Sequence, residues 1–74
     1  MNIYHITIQE WSYDCYSGHV IVANTEEEVR TLASGSSADE GAETWFSSAI
    51  ILMVGTYTGA ETEPFILESS FHAG

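Results

Sequence analysis

Alternating apolar and polar residues at the start of the chain predict a β-strand. In the segment 2–10, NIYHITIQE, the residues Tyr4, Ile6 and Ile8 fall on one face, and the positions between them fall on the other. This two-residue period is typical of a half-buried strand. The next segment, 12–18, contains Asp, Ser and Gly in SYDCYSG and predicts a hairpin loop. The β-branched segment 19–23, HVIVA, predicts a second, short strand.

Residues 25–33 have the pattern of a capped amphipathic helix. Thr25 stands three residues before Glu28, which is the spacing of a capping box in which each side chain bonds the other residue's main-chain N–H. Val29, Leu32 and Ala33 then follow at the i, i+3 and i+4 spacing of an apolar helix face. The segment 34–37, SGSS, ends this pattern, so we expect the helix to stop there.

The second half of the chain predicts two more strands. The acidic segment 38–44 has no clear period and predicts a loop, with a helical turn beginning at Asp39 as an option. The segment 45–57, WFSSAIILMVGTY, fits a buried helix or a buried strand, but its paired isoleucines and its Gly-Thr-Tyr ending favour a strand. A turn over 58–64 and a last strand over 65–71 complete the chain.

The order β-β-α-β-β predicts a single α+β domain over 1–74, with a four-stranded, mainly antiparallel sheet and one helix on one face. Every residue of the run 49–54 is apolar, so the third strand is apolar on both faces. One short helix covers only one face of a sheet. We therefore expect the second face to be covered by a homodimer partner, by the loop carrying Trp45 and Phe46, or by a target protein.

The charge of the chain is almost entirely of one sign. One basic residue, Arg30, stands against eleven acidic ones, there is no lysine, and the formal net charge is −10. Such a chain repels phosphate backbones and anionic lipid, so we expect neither direct nucleic-acid binding nor membrane binding. It attracts cationic surfaces. Arg30 is expected to pair with Glu26 on the helix face.

The potentially reactive residues do not form a recognisable catalytic, cofactor or metal motif. Cys15, His5, His19 and His72 lack the paired short spacings of a zinc site. Cys15, His19 and Asp14 supply the residue types of a nucleophilic site, but nothing in the sequence places them together in a pocket. No glycine-rich phosphate loop is present. The sequence therefore predicts a protein that is not an enzyme and that carries no cofactor.

The sequence also favours a cytoplasmic location. The single cysteine, Cys15, leaves no internal disulfide to form, which favours a reducing compartment. The first residues, MNIYHITIQEW, have neither the basic nor the apolar region of a targeting segment. The longest apolar run, 49–54, is far shorter than the ~20 residues of a membrane-spanning helix.

Two stretches carry a resemblance to known proteins. The layout of YDCYSGHVIVANTEEEVR and of the ending FILESSFHAG resembles small proteins of unknown function that are carried by bacteriophages and prophages. In size, acidity and lack of a catalytic signature the chain is also similar to phage-encoded inhibitors of host defence, among them anti-CRISPR proteins. This resemblance implies a protein of the host-cell cytoplasm that blocks a basic nucleic-acid groove by presenting carboxylates in place of phosphates.

The leading expectation is thus an acidic phage-type inhibitor that acts by nucleic-acid mimicry and binds a basic host protein or nucleoprotein complex. The alternative is a small dimeric assembly or structural module that uses the second sheet face, with the charge serving solubility. The aromatic residues fit core packing or an interface equally well. The expected partner contacts are Asp14, Glu26, Glu27, Glu28, Asp39, Glu40, Glu43, Tyr13, Tyr16 and Trp45.

Overall fold

The computed structural model describes residues 1–73 and confirms the predicted α+β architecture. The four strands, β1 (Asn2–Thr7), β2 (Cys15–Ala23), β3 (Ile50–Thr56) and β4 (Phe65–His72), form one antiparallel sheet in the order β3-β1-β2-β4. The main helix, α1 (Glu26–Gly35), packs on one face of the sheet against β1, β2 and β4. A short helix, α2 (Thr44–Ser47), precedes β3. No helix among residues 1–73 is long and apolar enough to span a membrane.

The core lies between α1 and the helix-covered face of the sheet. It gathers the alternating residues of the first strand, their neighbours on β2, the apolar stripe of α1 and the indole of α2. Burying each large apolar side chain contributes about 1.5–3 kcal/mol to the free energy of unfolding. The core residues are Tyr4, Ile6, Ile8, Ile21, Ala23, Val29, Ala33, Trp45 and Ala49.

The predicted start of α1 is confirmed in its detail. The Thr25 hydroxyl accepts from the N–H of Glu28 at 3.2 Å, and the Glu28 carboxylate accepts from the N–H of Thr25 at 3.1 Å. The same carboxylate oxygen also accepts from the N–H of Asn24 at 2.8 Å. These bonds satisfy main-chain donors that the first helical turn leaves without partners. The helix ends at Gly35, within the predicted stop.

Strand β2 is longer than predicted and begins inside the expected hairpin loop. Its first residues, Cys15 and Tyr16, pair with His72 and Phe71 of β4. A register shift between Tyr16 and Gly18 accommodates the turn-forming residues within the ladder. Long-range strand pairing therefore outweighs the local turn preference of this segment.

Helix α2 occupies residues that were predicted to belong to the loop and to the start of the third strand. The Thr44 hydroxyl donates to the carbonyl of Glu40 at 2.7 Å, and Trp45 is buried in the core. Burial of this indole fixes the segment as a helical turn, and β3 begins only at Ile50. The strand itself is confirmed.

Strand β3 forms one edge of the sheet and is exposed on both faces. The exposed fractions are 51% for Ile50, 63% for Leu52, 58% for Met53 and 55% for Val54. Within the described residues 1–73, no element covers the exposed apolar side chains of β3, for which the sequence predicted a cover other than the helix. The loop that was one of its possible covers packs elsewhere, because Trp45 joins the core beneath α1.

Candidate functional site

Apart from Glu61, Glu63 and Glu68, which lie in the turn before β4 and on β4, the exposed acidic residues form two groups at opposite ends of α1. The helix-start group is Glu26 and Glu27, which project from the first turn of the helix. The loop-end group is Glu10, Asp14, Asp39 and Glu43, which follow β1 and α1. Because α1 has ten residues, its length separates the two groups by roughly 15 Å. The acids that were predicted as one set of contacts are thus not one continuous surface.

A main-chain hydrogen bond and a shared cavity connect members of the loop-end group. The N–H of Asp39 donates to the carbonyl of Asp14 at 3.0 Å. Asp14 adopts a left-handed turn conformation with φ of 58°, which Asp tolerates better than most residues. Glu10 and Asp39 line one open cavity of about 370 Å³ together with Trp11 and Thr44. Side chains from two separate loops therefore face the same space.

Exposed aromatic rings stand beside the loop-end group. Tyr13 is 73% exposed, and Trp11 is about half exposed. One face of the Trp11 ring stacks on His72, with ring centroids 3.6 Å apart and planes 17° apart. The His72 ring in turn shares a 2.9 Å hydrogen bond with the Ser17 hydroxyl. We call the four acids with Trp11 and Tyr13 the loop-end surface, and its two aromatic residues are of the types enriched in binding hot spots.

Glu40 lies at the same end of the molecule but holds the fold together. Its carboxylate accepts from the N–H of Tyr16 at 3.0 Å, from the N–H of Ala38 at 3.1 Å and from the indole N–H of Trp45 at 2.9 Å. Burial raises the pKa of this carboxyl, but the hydrogen bonds from Trp45, Tyr16 and Ala38 outweigh burial and lower the pKa below its usual value. Glu40 therefore ties the loop to β2 and α2, and it is not free to face a partner.

The only cation of the chain is also used inside the fold. The guanidinium Nη1 of Arg30 donates to the carbonyl of Trp45 at 3.0 Å and to the carbonyl of Ala49 at 3.2 Å. Within residues 1–73, the expected ion pair with Glu26 is not formed. Arg30 instead fastens both ends of the α2 segment to α1, and the hydrogen bonds of its guanidinium go to main-chain carbonyls and not to a carboxylate.

Besides Glu40, three more of the expected partner contacts are partly or wholly inside the molecule. Trp45 has no exposed surface, so it cannot touch a partner in the folded state. Tyr16 is half-buried, and its ring contacts His19 and Phe71. Glu28 is half-buried and forms the helix cap. Glu10 and Trp11 were not selected from the sequence: Glu10 was predicted as the last residue of the first strand, but β1 ends at Thr7, so both residues lie in the loop that follows it.

His19 is a buried, neutral core residue. Its Nδ1 shares a 2.7 Å hydrogen bond with the Ser69 hydroxyl, and its ring packs against Trp45 and Tyr16. Its Nε2 is buried without a hydrogen-bond partner among the described residues. Burial lowers the pKa of His19 below its usual 6.5, and the nearby charge of Glu40 opposes that change only in part.

Cys15 is buried apart from His19. Its thiol lies 3.5 Å from the carbonyl of Tyr13 and 4.0 Å from the Ser12 hydroxyl. His19 hydrogen bonds to Ser69 on β4, so these contacts do not link the two residues as a nucleophile and its base. Among residues 1–73, no group of three or more His, Cys, Asp or Glu side chains is arranged to hold a metal ion.

Comparisons with known proteins found no relative of this chain. No protein-family model matches the chain, and no curated protein or solved structure matches it significantly.

Proposed function

We propose that this protein is a binding protein that docks its loop-end surface on a basic surface of a partner protein. The observation that carries the proposal is that Arg30, the only Lys or Arg residue, is engaged by main-chain carbonyls of the fold, while Glu10, Asp39 and Glu43 remain exposed. A surface that is rich in one sign of charge attracts a complementary surface and increases the association rate.

The chemistry of the loop-end surface fits a partner that normally binds nucleic acid. A groove for nucleic acid is rich in Lys and Arg, and carboxylates placed at suitable spacing bind these side chains as phosphates do. Tyr13 and Trp11 add exposed aromatic area beside the acids. Aromatic rings of this kind stack with the guanidinium groups of Arg. They can also contact the aromatic side chains on which a nucleic-acid-binding protein stacks bases. We propose that the protein acts in this way as an inhibitor of phage type on a host nucleic-acid-binding defence complex, in the host cytoplasm.

The acids of the helix start have an explanation within the fold. Carboxylates in the first turn are stabilised by the helix dipole, and Glu28 completes the capping box. The loop-end acids Asp39 and Glu43 form no such cap with their side chains, since α2 has no side-chain cap bond. We therefore assign partner binding to the loop-end surface and a mainly stabilising role to the helix start.

A pair of charge-matched variants tests this assignment. The double variant Asp39→Asn with Glu43→Gln removes two loop-end charges, and Glu26→Gln with Glu27→Gln removes two helix-start charges. Each tagged protein is used to capture proteins from a bacterial lysate at low and high salt, with and without competing duplex DNA. We expect the native chain and the helix-start variant to retain nucleic-acid-binding proteins that salt and DNA release, and the loop-end variant to lose them.

Two results would contradict the proposal. Capture that is insensitive to both salt and DNA would exclude electrostatic mimicry, because exposed charges are screened beyond about 10 Å at 0.1 M salt. Equal loss of capture by both variants would show that total charge matters rather than the loop-end surface.

The exposed edge strand favours a second candidate function, a small dimeric assembly or structural module in which the charge serves solubility. The supporting observation is the apolar strand β3, where Ile50, Leu52 and Met53 are all more than half exposed.

A further inference from the structure

The β3 edge lacks the features that normally protect a sheet edge. β3 pairs only with β1 among the described strands, so its other main-chain edge has no strand beside it. Edge strands are usually protected by charged side chains, prolines or bulges. β4, the opposite edge, carries Glu68 and two register shifts. β3 has neither charge nor proline, and its single register shift lies beyond Met53, which leaves Ile50–Met53 as a regular run.

The charge distribution along the chain favours a second copy as the occupant of this edge. No charged residue occurs between Thr44 and Ala60, in a chain whose net charge is −10. A cationic partner gains nothing from an uncharged edge. Two copies of the chain, however, associate most easily where their repulsion is weakest. At the β3 edge, no acidic side chain of one copy lies opposite the same acidic side chain of the other.

We propose that two copies of the chain pair β3 with β3 in antiparallel orientation and form one continuous eight-stranded sheet. The two-fold arrangement places the apolar run of one copy beside the same run of the other. Leu52, which pairs with the outward-facing His5, extends the outer face, and Met53, which pairs with Tyr4, extends the helix-covered face beyond α1. Both faces of the new junction are therefore apolar.

The area available is sufficient for a modest, concentration-dependent dimer. Four apolar side chains of β3 are each more than half exposed: Ile50, Leu52, Met53 and Val54. Pairing through a single edge strand buries an area near or below the lower end of stable interfaces, about 1,200 Å². We therefore expect a dissociation constant in the micromolar range.

Dimerisation and the binding of a basic partner are expected to change in opposite directions when salt is added. Dimerisation brings two net charges of −10 together, so added salt screens the repulsion and strengthens the dimer. Binding to a basic partner is attractive and weakens with salt. The two proposals therefore predict opposite salt dependence and fail independently of each other.

Sedimentation equilibrium of the full chain provides the test. We expect a mass that rises from 8.1 kDa toward 16.2 kDa, twice the mass of the chain, as the concentration rises from about 1 μM to about 1 mM. The variant Leu52→Lys should weaken the dimer at least about a hundredfold, because two lysines then oppose each other within the junction. Raising salt should strengthen the native dimer about tenfold or more.

Leu67→Lys on β4 is the matched control. Leu67 is exposed to a similar degree as Leu52 and lies on the other edge, and both substitutions reduce the net negative charge by one. Far-UV circular dichroism and urea unfolding establish that both variants are folded. A chain that stays at 8.1 kDa at every concentration in high salt, or a dimer lost in Leu67→Lys and kept in Leu52→Lys, would overturn the inference.

Discussion

Removal of the Arg30 guanidinium is expected to destabilise the fold strongly. The variant Arg30→Met keeps an apolar stem of similar length but loses the bonds to the carbonyls of Trp45 and Ala49, at 3.0 and 3.2 Å. A hydrogen bond to a charged group contributes about 1.5–3 kcal/mol when its partner is left unsatisfied. Arg30 is only partly buried and the second bond is long, so we expect a total loss of about 2–3 kcal/mol.

That loss is a large fraction of the stability of so small a domain, for which a single core rarely supplies more than about 3–5 kcal/mol. It corresponds to a decrease in melting temperature of roughly 10–20 °C. Urea unfolding followed by tryptophan fluorescence measures it directly, because Trp45 is buried beside the lost bonds.

Two controls separate the hydrogen bonds from the charge of Arg30. The substitution also changes the net charge from −10 to −11, and a repulsive effect of that kind is screened by about 1 M salt. We therefore expect the loss of stability to persist in high salt. Glu26→Gln tests the helix-face ion pair and should change stability by no more than about 0.5 kcal/mol. The reasoning is refuted if Arg30→Met loses less than about 0.5 kcal/mol, or if Glu26→Gln loses as much as Arg30→Met.

Two further predictions concern the groups around the buried indole. Glu40→Gln keeps one acceptor oxygen but cannot satisfy all three donors, so we expect a loss of about 2 kcal/mol in urea unfolding and a weakened near-UV tryptophan band; an unchanged midpoint would contradict this role. Because the folded chain holds His19 neutral, the unfolded chain binds more protons just below pH 6.5. Stability is therefore fully present above that pH and falls as the pH is lowered, and the lowered pKa of Glu40 adds a further loss in more acidic solution. His19→Gln should flatten the first part of this pH dependence, and an equal slope in both proteins would exclude His19 as its cause.

The parts of the fold that follow from neighbouring residues could be predicted from the sequence. The capping box at Thr25 and the stripe of Val29 and Ala33 depend on contacts within one helix, and each lies where the pattern indicated. The same is true of the alternation in β1, although the strand ends at Thr7 and not at the predicted Glu10. The early start of β2 could not be predicted in this way, because it depends on pairing between Tyr16 and Phe71, which are far apart in the chain.

The functional assignment was harder to predict, because charge alone does not show what a side chain contacts. Glu40 and Asp39 are adjacent acids in the same loop, yet one accepts three hydrogen bonds within the fold and the other is exposed. Arg30 was assigned to a neighbour on its own helix, but its actual acceptors lie fifteen and nineteen residues away. Both outcomes depend on where Trp45 packs, and local sequence patterns do not contain that information.

The two proposed interfaces are compatible with each other, which leads to a prediction about stoichiometry. The Ile50 end of β3 pairs with Thr7, so it lies at the end of the sheet where the loop-end surface begins, and the Thr56 end lies beside the helix start. Antiparallel pairing of β3 with its copy places the Ile50 end of one strand beside the Thr56 end of the other. The two loop-end surfaces of the dimer therefore point away from each other, and each is open to a partner.

We accordingly expect the native protein to bind a captured basic partner as a two-to-two complex, and Leu52→Lys to bind it one-to-one. Because Leu52 lies on β3 and does not line the cavity shared by Glu10 and Asp39, the affinity of each site should be unchanged within about twofold. Light scattering of the purified complexes measures the stoichiometry, and titration calorimetry measures the affinity per site. Loss of partner binding in a folded Leu52→Lys variant would show that the partner itself occupies the β3 edge, and that the loop-end surface and this edge are parts of one interface.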